Sequence, residues 1–464
     1  MAATAMFATA TWAGGLMTNT NYHIAFDRMF ARGASTEIDA TFSNPAGLAW
    51  GHEGWQLSLN FQKPWQNRDI ELTAPNGTKT LYEGKASAPI VPALFASYKK
   101  DRWAVSGMIG IVGSGGFVQY DDGVPMFNVL LNSTITKLTK GLSDATQGAI
   151  PPITPDQYTL DSEMKGKQYI YGGQLNFSYK ITDYLAAAVG FRANYYDGYY
   201  RGHVIADNHA TKGKLASLLL DVDQKGWGFT PIISLAFHQG PLTLTARYEF
   251  RTKISTKNDT NVLDADLNTT KMVTEPLTQL VVAGAITAAQ AQAIGQGIQQ
   301  QLGGGFSDYT APYEDGARTR YDMPALFTVA AGYEFSPKLR ATLEYHFFDD
   351  KNAKMANDRQ EKLTHGTHEI LAGIEYDIND KFTISCGGQR TDYGLSDEYQ
   401  QNTSFACDSY SIGLGGAWNI TEKVRLNAGY FISLYSDYKK QTDYGLETYS
   451  RTNNVIGIGV DYKF

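Results

Sequence analysis

The sequence predicts an all-β fold: a transmembrane antiparallel β-barrel of about 14 strands, with an N-terminal hatch in the lumen and helical extracellular loops. Three observations carry this. Apolar and polar residues alternate in long runs, as in Leu242, Leu244, Ala246, Tyr248 and Phe250 against Thr243, Thr245, Arg247, Glu249 and Arg251. Such runs reach the roughly 9–11 residues a tilted membrane strand needs. Tight and long connections alternate strictly, as short periplasmic turns and long outer loops do. Finally, the 464 residues include 46 glycines and 29 tyrosines at a mean hydropathy of −0.31. No apolar run approaches the roughly 20 residues of a transmembrane helix.

Composition narrows the function classes. A net charge of −7 gives no support for nucleic-acid binding. Two cysteines, Cys386 and Cys407, do not make a disulfide framework. The register sets Cys386 low on one strand and Cys407 at the top of the next, so both are expected to be free.

In chain order, residues 1–12 (MAATAMFATATW) are apolar, small and uncharged, and read as the remnant of a secretory signal ending near Ala13. Residues 13–54 hold Asn19, Asn21, Asp27, Arg28, Arg32, Glu37 and Asp39 among small residues, without a sustained period. In a polar lumen each charge can find a partner on the wall, so this segment is expected to be the hatch. It leads into Asn44-Pro45-Ala46-Gly47-Leu48, read as a tight turn that hands the hatch over to the wall. Pro45 fixes its own φ and biases Asn44 away from helix, and Gly47 permits a sharp turn.

Residues 55–464 form the barrel. Tight turns fall at Lys100-Asp101, Ile181-Thr182-Asp183, Gln239-Gly240, Ser336-Pro337, Asn379-Asp380 and Thr421-Glu422. Long connections fall at about 67–84, 121–167, 203–224, 254–318, 350–366, 394–407 and 438–450. Trp103, Tyr179, Tyr184, Phe237, Trp418 and Tyr462 lie at periplasmic strand ends, with Tyr195, Tyr199 and Tyr435 towards the outer ends, as aromatic girdles do.

A signal remnant, a forty-residue head, Asn44-Pro45-Ala46-Gly47-Leu48 before the first strand, then fourteen strands ending on Phe464: this resembles the FadL-type family. Ala13-Gly14-Gly15-Leu16 is similar to the family's mature start. Those proteins are outer-membrane transporters of long-chain fatty acids and other hydrophobic compounds. The resemblance implies a monomer in the outer membrane of a Gram-negative bacterium, contacting its lipids and lipopolysaccharide, with no cofactor. It also implies an N-terminal hatch, an extracellular groove that first holds the ligand, and sideways release through a kink in the third strand.

The third strand, Trp103 to about Tyr120, contains Gly113-Ser114-Gly115-Gly116. Clustered glycines weaken a ladder and mark bulges; they also accommodate simple curvature. The second long loop carries Phe127, Leu130, Leu131, Thr134 and Leu138 on one helical face. The fourth carries a short helix opened by Thr274-Glu275-Pro276 and stopped at Gly284. A second helix there is started by the Thr287/Gln290 capping box and stopped by Gly303-Gly304-Gly305. Its face is Ala291, Ile294, Ile298 and Leu302. These faces make an apolar ligand groove, or bury each other as a lid.

For a cargo carboxylate the lumen-facing Arg192, Arg247, Arg340 and Arg425 and the hatch Arg28 and Arg32 are candidates. The competing reading pairs them with Glu249, Glu334, Glu344 and Glu375. His238 and His346 lack a nucleophile at useful spacing, and His365 with His368 makes only a weak metal pair. An enzyme is not expected. A gated porin for small polar solutes and a surface adhesin remain the alternatives.

Overall fold

The computed structural model describes residues 15–209, 213–302 and 310–464, without the side chains of Ser114, Gly115, Gln301 and Leu302. Residues 1–12, read as a signal remnant, and Gly303-Gly304-Gly305 lie outside the described residues.

A strand with one apolar and one polar face can cross a bilayer only if its edges are paired, and closing the sheet removes every edge. Fourteen walls do this here. β1 (Gly54–Thr73) is followed by β2, in three pieces (Lys79–Tyr82, Gly84–Ser87, Val91–Lys100), and β3 (Trp103–Tyr120). Three long strands come next, β4 (Tyr158–Lys180), β5 (Leu185–Asn208) and β6 (Gly213–Gln239). β7 (Leu242–Glu249, then Ser255–Leu267) and β8 (Arg318–Arg320, then Leu326–Ser336) are interrupted. β9 (Leu339–Phe348), β10 (Thr367–Asp377), β11 (Phe382–Asp392) and β12 (Ser409–Asn419) are shorter. β13 (Val424–Tyr435, then Tyr438–Thr442) and β14 (Gly445–Lys463) complete the ring. Successive walls pair antiparallel, and β14 pairs with β1 from Gln56↔Lys463 to Thr73↔Leu446.

The faces follow the alternation. Leu244 and Leu343 face outward, while Arg247, Glu249, Glu344 and His346 are buried inside. Cys386 is exposed, Cys407 is buried, and both are free.

The long connections need correction. β4, β5 and β6 run for 23, 24 and 27 residues, so most of 203–224 is paired hairpin rather than loop. Ser255–Leu267 rejoins β6, and Tyr438–Thr442 pairs with β14. Pairing satisfies backbone groups that an open loop leaves to water, and the alternation simply continues with charged outward residues. The larger excursions are residues 121–157 and 268–317, which carry the outer helices.

Inside the ring lies the N-terminal segment, with α1 (Ile24–Met29), α2 (Ala40–Ser43) and a 3₁₀ turn (Pro45–Trp50). The excursions add α3 (Pro125–Ala145), α4 (Glu275–Val282) and α5 (Ala288–Leu302).

Candidate functional site

The lumen is filled from below by the N-terminal segment. Every residue of α1 is buried, and the wall meets it with glycines. Gly373, Gly387 and Gly413 sit on successive rungs across β10, β11 and β12; Gly415, Gly429 and Gly457 do so across β12, β13 and β14. A Cβ at Gly373 or Gly387 would strike the Met29 carbonyl oxygen, and one at Gly413 the Asp27 carbonyl. Only a backbone without side chains lets α1 lie flat on the wall.

Charges fasten the same side. Arg28 pairs with Glu375 and donates to Ser385 Oγ (2.8 Å). Arg340 holds Glu375 and Asp377, the latter at 2.6 Å. Arg425 reaches Glu37 (2.5 Å), while Arg32 grips Asp39 (2.6 Å) and Glu37 (2.9 Å) within the segment. Towards β5–β7, Arg192 pairs with Glu249 (2.6 Å) and Arg247 donates to the Phe42 carbonyl. Glu344 accepts from the Gly33 amide (2.7 Å) and from His346 (2.7 Å). Each candidate carboxylate-binding arginine is therefore already engaged. Glu334 alone among the named partners lies exposed.

The Asn44–Leu48 stretch is buried, and its role differs from the expected handover. Asn44 Oδ1 accepts from the Gly47 amide (3.2 Å), and Asn44 Nδ2 donates to Ser35 O (3.0 Å). Ser178 Oγ donates to Pro45 O (2.6 Å), and Ala46 and Ala49 pack on Ala186, Ala188 and Ala236. The pentapeptide is a clamp onto β4–β6. Gly47 is needed for space, because a Cβ would strike Asn44 Nδ2 and Ser35 O. The turn into the wall comes later, at Gly54 with φ +91°.

The β2–β3 ladder is interrupted, as is the β6–β7 ladder between Ile232↔Glu249 and Lys225↔Lys257. The β2–β3 ladder runs from Lys100↔Trp103 to Leu94↔Ile109 and resumes only at Ser87↔Phe117. Residues 88–93 and 110–116 form no rungs with each other among the described residues. On its other edge β3 slips register against β4 between Ile111 and Gly113 and again between Ser114 and Phe117. Gly113, Ser114, Gly115 and Gly116 thus all lie at the break, Gly116 with φ +128°. On the β2 side, Pro89 and Pro92 carry no amide donor.

From inside, the N-terminal segment covers the exposed edge. The Asn19 amide donates to Val112 O (3.1 Å), Asn19 Nδ2 to Ile111 O (3.3 Å) and Tyr22 OH to Val112 O (3.0 Å). Ala88, Val91 and Ile111 beside the break join Phe26, Phe30, Phe431 and Val455 in one apolar cluster. An apolar strip of lumen therefore leads to the interrupted ladder.

Above, the outer helices close over the mouth. Phe127, Leu131 and Leu138 of α3 and Ile298 of α5 are buried in one cluster, with Leu130, Ala291 and Ile294 packed against it. Leu302 of the same face lies outside the described side chains. Beside Phe127 remains a cavity of about 20 Å³, lined by Met164, Val204, Leu218, Leu220, Leu263 and Tyr313. The helical faces thus bury each other, as a lid does.

A family model described as "Outer membrane protein beta-barrel domain" matches residues 278–464. A FadL homologue of Pseudomonas aeruginosa is similar at 13% identity and a TM-score of 0.62, covering 99% of this chain and 100% of that one. The chain has the fold of the FadL-type outer-membrane β-barrels. This FadL-type barrel is also similar to the Pseudomonas putida toluene transporter TodX (12% identity, TM-score 0.56, 95% and 99% covered). The Ralstonia pickettii toluene transporter TbuX matches as well (14% identity, TM-score 0.52, 92% and 94% covered). No curated protein matches it by sequence.

Two features of this FadL-type barrel escaped the sequence reading, and both had a signal. Pro89 lies between two pieces of β2 and Pro92 near the start of the third, where proline removes a ladder donor. The inward glycines of β10–β14 share one parity on five successive strands, which a register drawn across neighbouring strands would have exposed.

Proposed function

We propose that this barrel takes up hydrophobic small molecules, long-chain fatty acids or other lipophiles, across the outer membrane by passive diffusion. Cargo is first held beneath α3 and α5 when these part, and it leaves sideways between β2 and β3. The interrupted β2–β3 ladder, facing an apolar strip while the N-terminal segment fills the axis, carries this reading. Proteins of similar fold support it: a FadL homologue and two toluene transporters. Burial gives about 0.8 kcal/mol per CH₂, enough to hold a long tail without a headgroup contact. Engagement of Arg192, Arg247, Arg340 and Arg425 by the wall and the N-terminal segment fits a cargo recognised by its apolar part.

The test is uptake into liposomes. Deleting Gly115 and Gly116, which removes the two residues by which β3 outruns β4 across the break, is expected to lower uptake of labelled fatty acid and of toluene at least about tenfold, since the proposed exit is an apolar route through the wall. Unchanged uptake would sink the sideways exit. Sugar-driven swelling at comparable rate would favour a porin instead.

A further inference from the structure

Above the lipid-facing band the outer surface of β6–β8 changes character within one step. Phe229 and Trp227 of β6 are 65% and 61% exposed, and the next outward residue is Lys225. Trp227 is twelve residues above the periplasmic end of β6, so it stands about 30 Å up a strand tilted near 40°. Lys225 is therefore at the height of the outer headgroups.

Lys225 lies directly opposite Lys257 of β7, and Lys257 directly opposite Arg318 of β8. All three are exposed, as is Lys253, two outward positions below Lys257 between the two pieces of β7. Directly opposed side chains on one face sit about 5 Å apart, and like charges there repel. The carboxylate on the other flank, Asp197 opposite Lys225, is held by Lys167 at 2.7 Å. One step above, Asp223 and Asp259 oppose each other, with Asp223 3.4 Å from Arg201. The cationic row is thus bounded by carboxylates above and by aromatic rings below. An anion that reaches it comes from the membrane side.

We propose that Lys225, Lys257 and Arg318 form a docking site for the phosphorylated glycolipid of the outer leaflet. A sugar phosphate bridges the three cations and removes their mutual repulsion, while the acyl chains lie on Phe229 and Trp227. Guanidinium and ammonium groups both bind phosphate through charge-assisted hydrogen bonds. The site depends on the outer-membrane placement of the barrel and is independent of what the lumen carries.

The test uses the full chain in detergent, titrated with lipid A bearing two phosphates and followed by thermal unfolding and by binding. Lipid A is expected to bind and to raise the unfolding temperature. Each cation near a phosphate surface contributes about fivefold, so K225Q/K257Q/R318Q together weaken binding by about a hundredfold. The double variant K225Q/K257Q, for use if the triple one fails to fold, weakens it about thirtyfold. Lys225→Arg with Lys257→Arg retains it. Equal binding by the glutamine variants, equal binding of dephosphorylated lipid A, or the same protection by inorganic phosphate would each overturn the assignment.

Discussion

The two sides of the barrel treat the N-terminal segment in opposite ways. Across β10–β14 the ladder is unbroken, the inward residues are glycines, and α1 lies against the backbone with Arg28 tied to Glu375. Across β2–β3 the ladder is interrupted. The same segment meets the wall there through polar bonds from Asn19 and Tyr22 and through apolar packing of Phe26 and Phe30 on Ala88, Val91 and Ile111, without an ion pair like that of Arg28 among the described residues. One side anchors and the other yields. Close packing is stiff, because small displacements forfeit many contacts at once. A few hydrogen bonds, each worth about 1 kcal/mol net, part more readily. On the proposed sideways route, movement of the segment would be towards the side where the β2–β3 ladder is interrupted.

This contrast can be broken from the anchored side first. Gly387→Val places a side chain where the Met29 carbonyl lies and is expected to cost about 3 kcal/mol by overpacking. In planar bilayers it should convert a closed barrel into one with a steady ionic conductance; an unchanged closed state would mean that the glycine rungs do not seat α1. Arg28→Met should cost about 2 kcal/mol, less than a fully orphaned buried charge because Arg340 still faces Glu375. Thermal unfolding would show this, with a loss only in variants that keep Glu375; a Glu375→Gln background should remove most of it. Tyr22→Phe acts on the yielding side and should cost about 1 kcal/mol. Its signature is faster amide exchange in β3 near Val112, with the overall melting temperature unmoved.

Much of the architecture was legible because a membrane wall writes itself into alternation. All six tight turns fall between the strands that the structure joins, since polar turn residues interrupt the period wherever a strand meets the periplasm. The height of the strands above the membrane was harder. β5 and β6 keep their period while exchanging outward apolar residues for Arg201, Asp221 and Asp223, and charge was read as loop. Gly113 to Gly116 lie where β3 slips register against β4 and leaves β2. The partner of β3 there could not be named from them, because a gap needs two edges and the β2 edge is shaped by Pro89 and Pro92. The outer helices were legible from their apolar faces, whereas amphipathicity cannot say whether a face is open or covered. Of these residues, Phe127, Leu131, Leu138 and Ile298 proved to be covered.

The seam between β1 and β14 has its own consequence for biogenesis. These are the first and last walls in chain order, and their pairing extends from Gln56 to Thr73. The cylinder can be sealed only after the twelve walls between them are in line, and sealing then encloses the segment ahead of β1. The pairing that joins the first wall to the last is therefore the one that locks the segment inside.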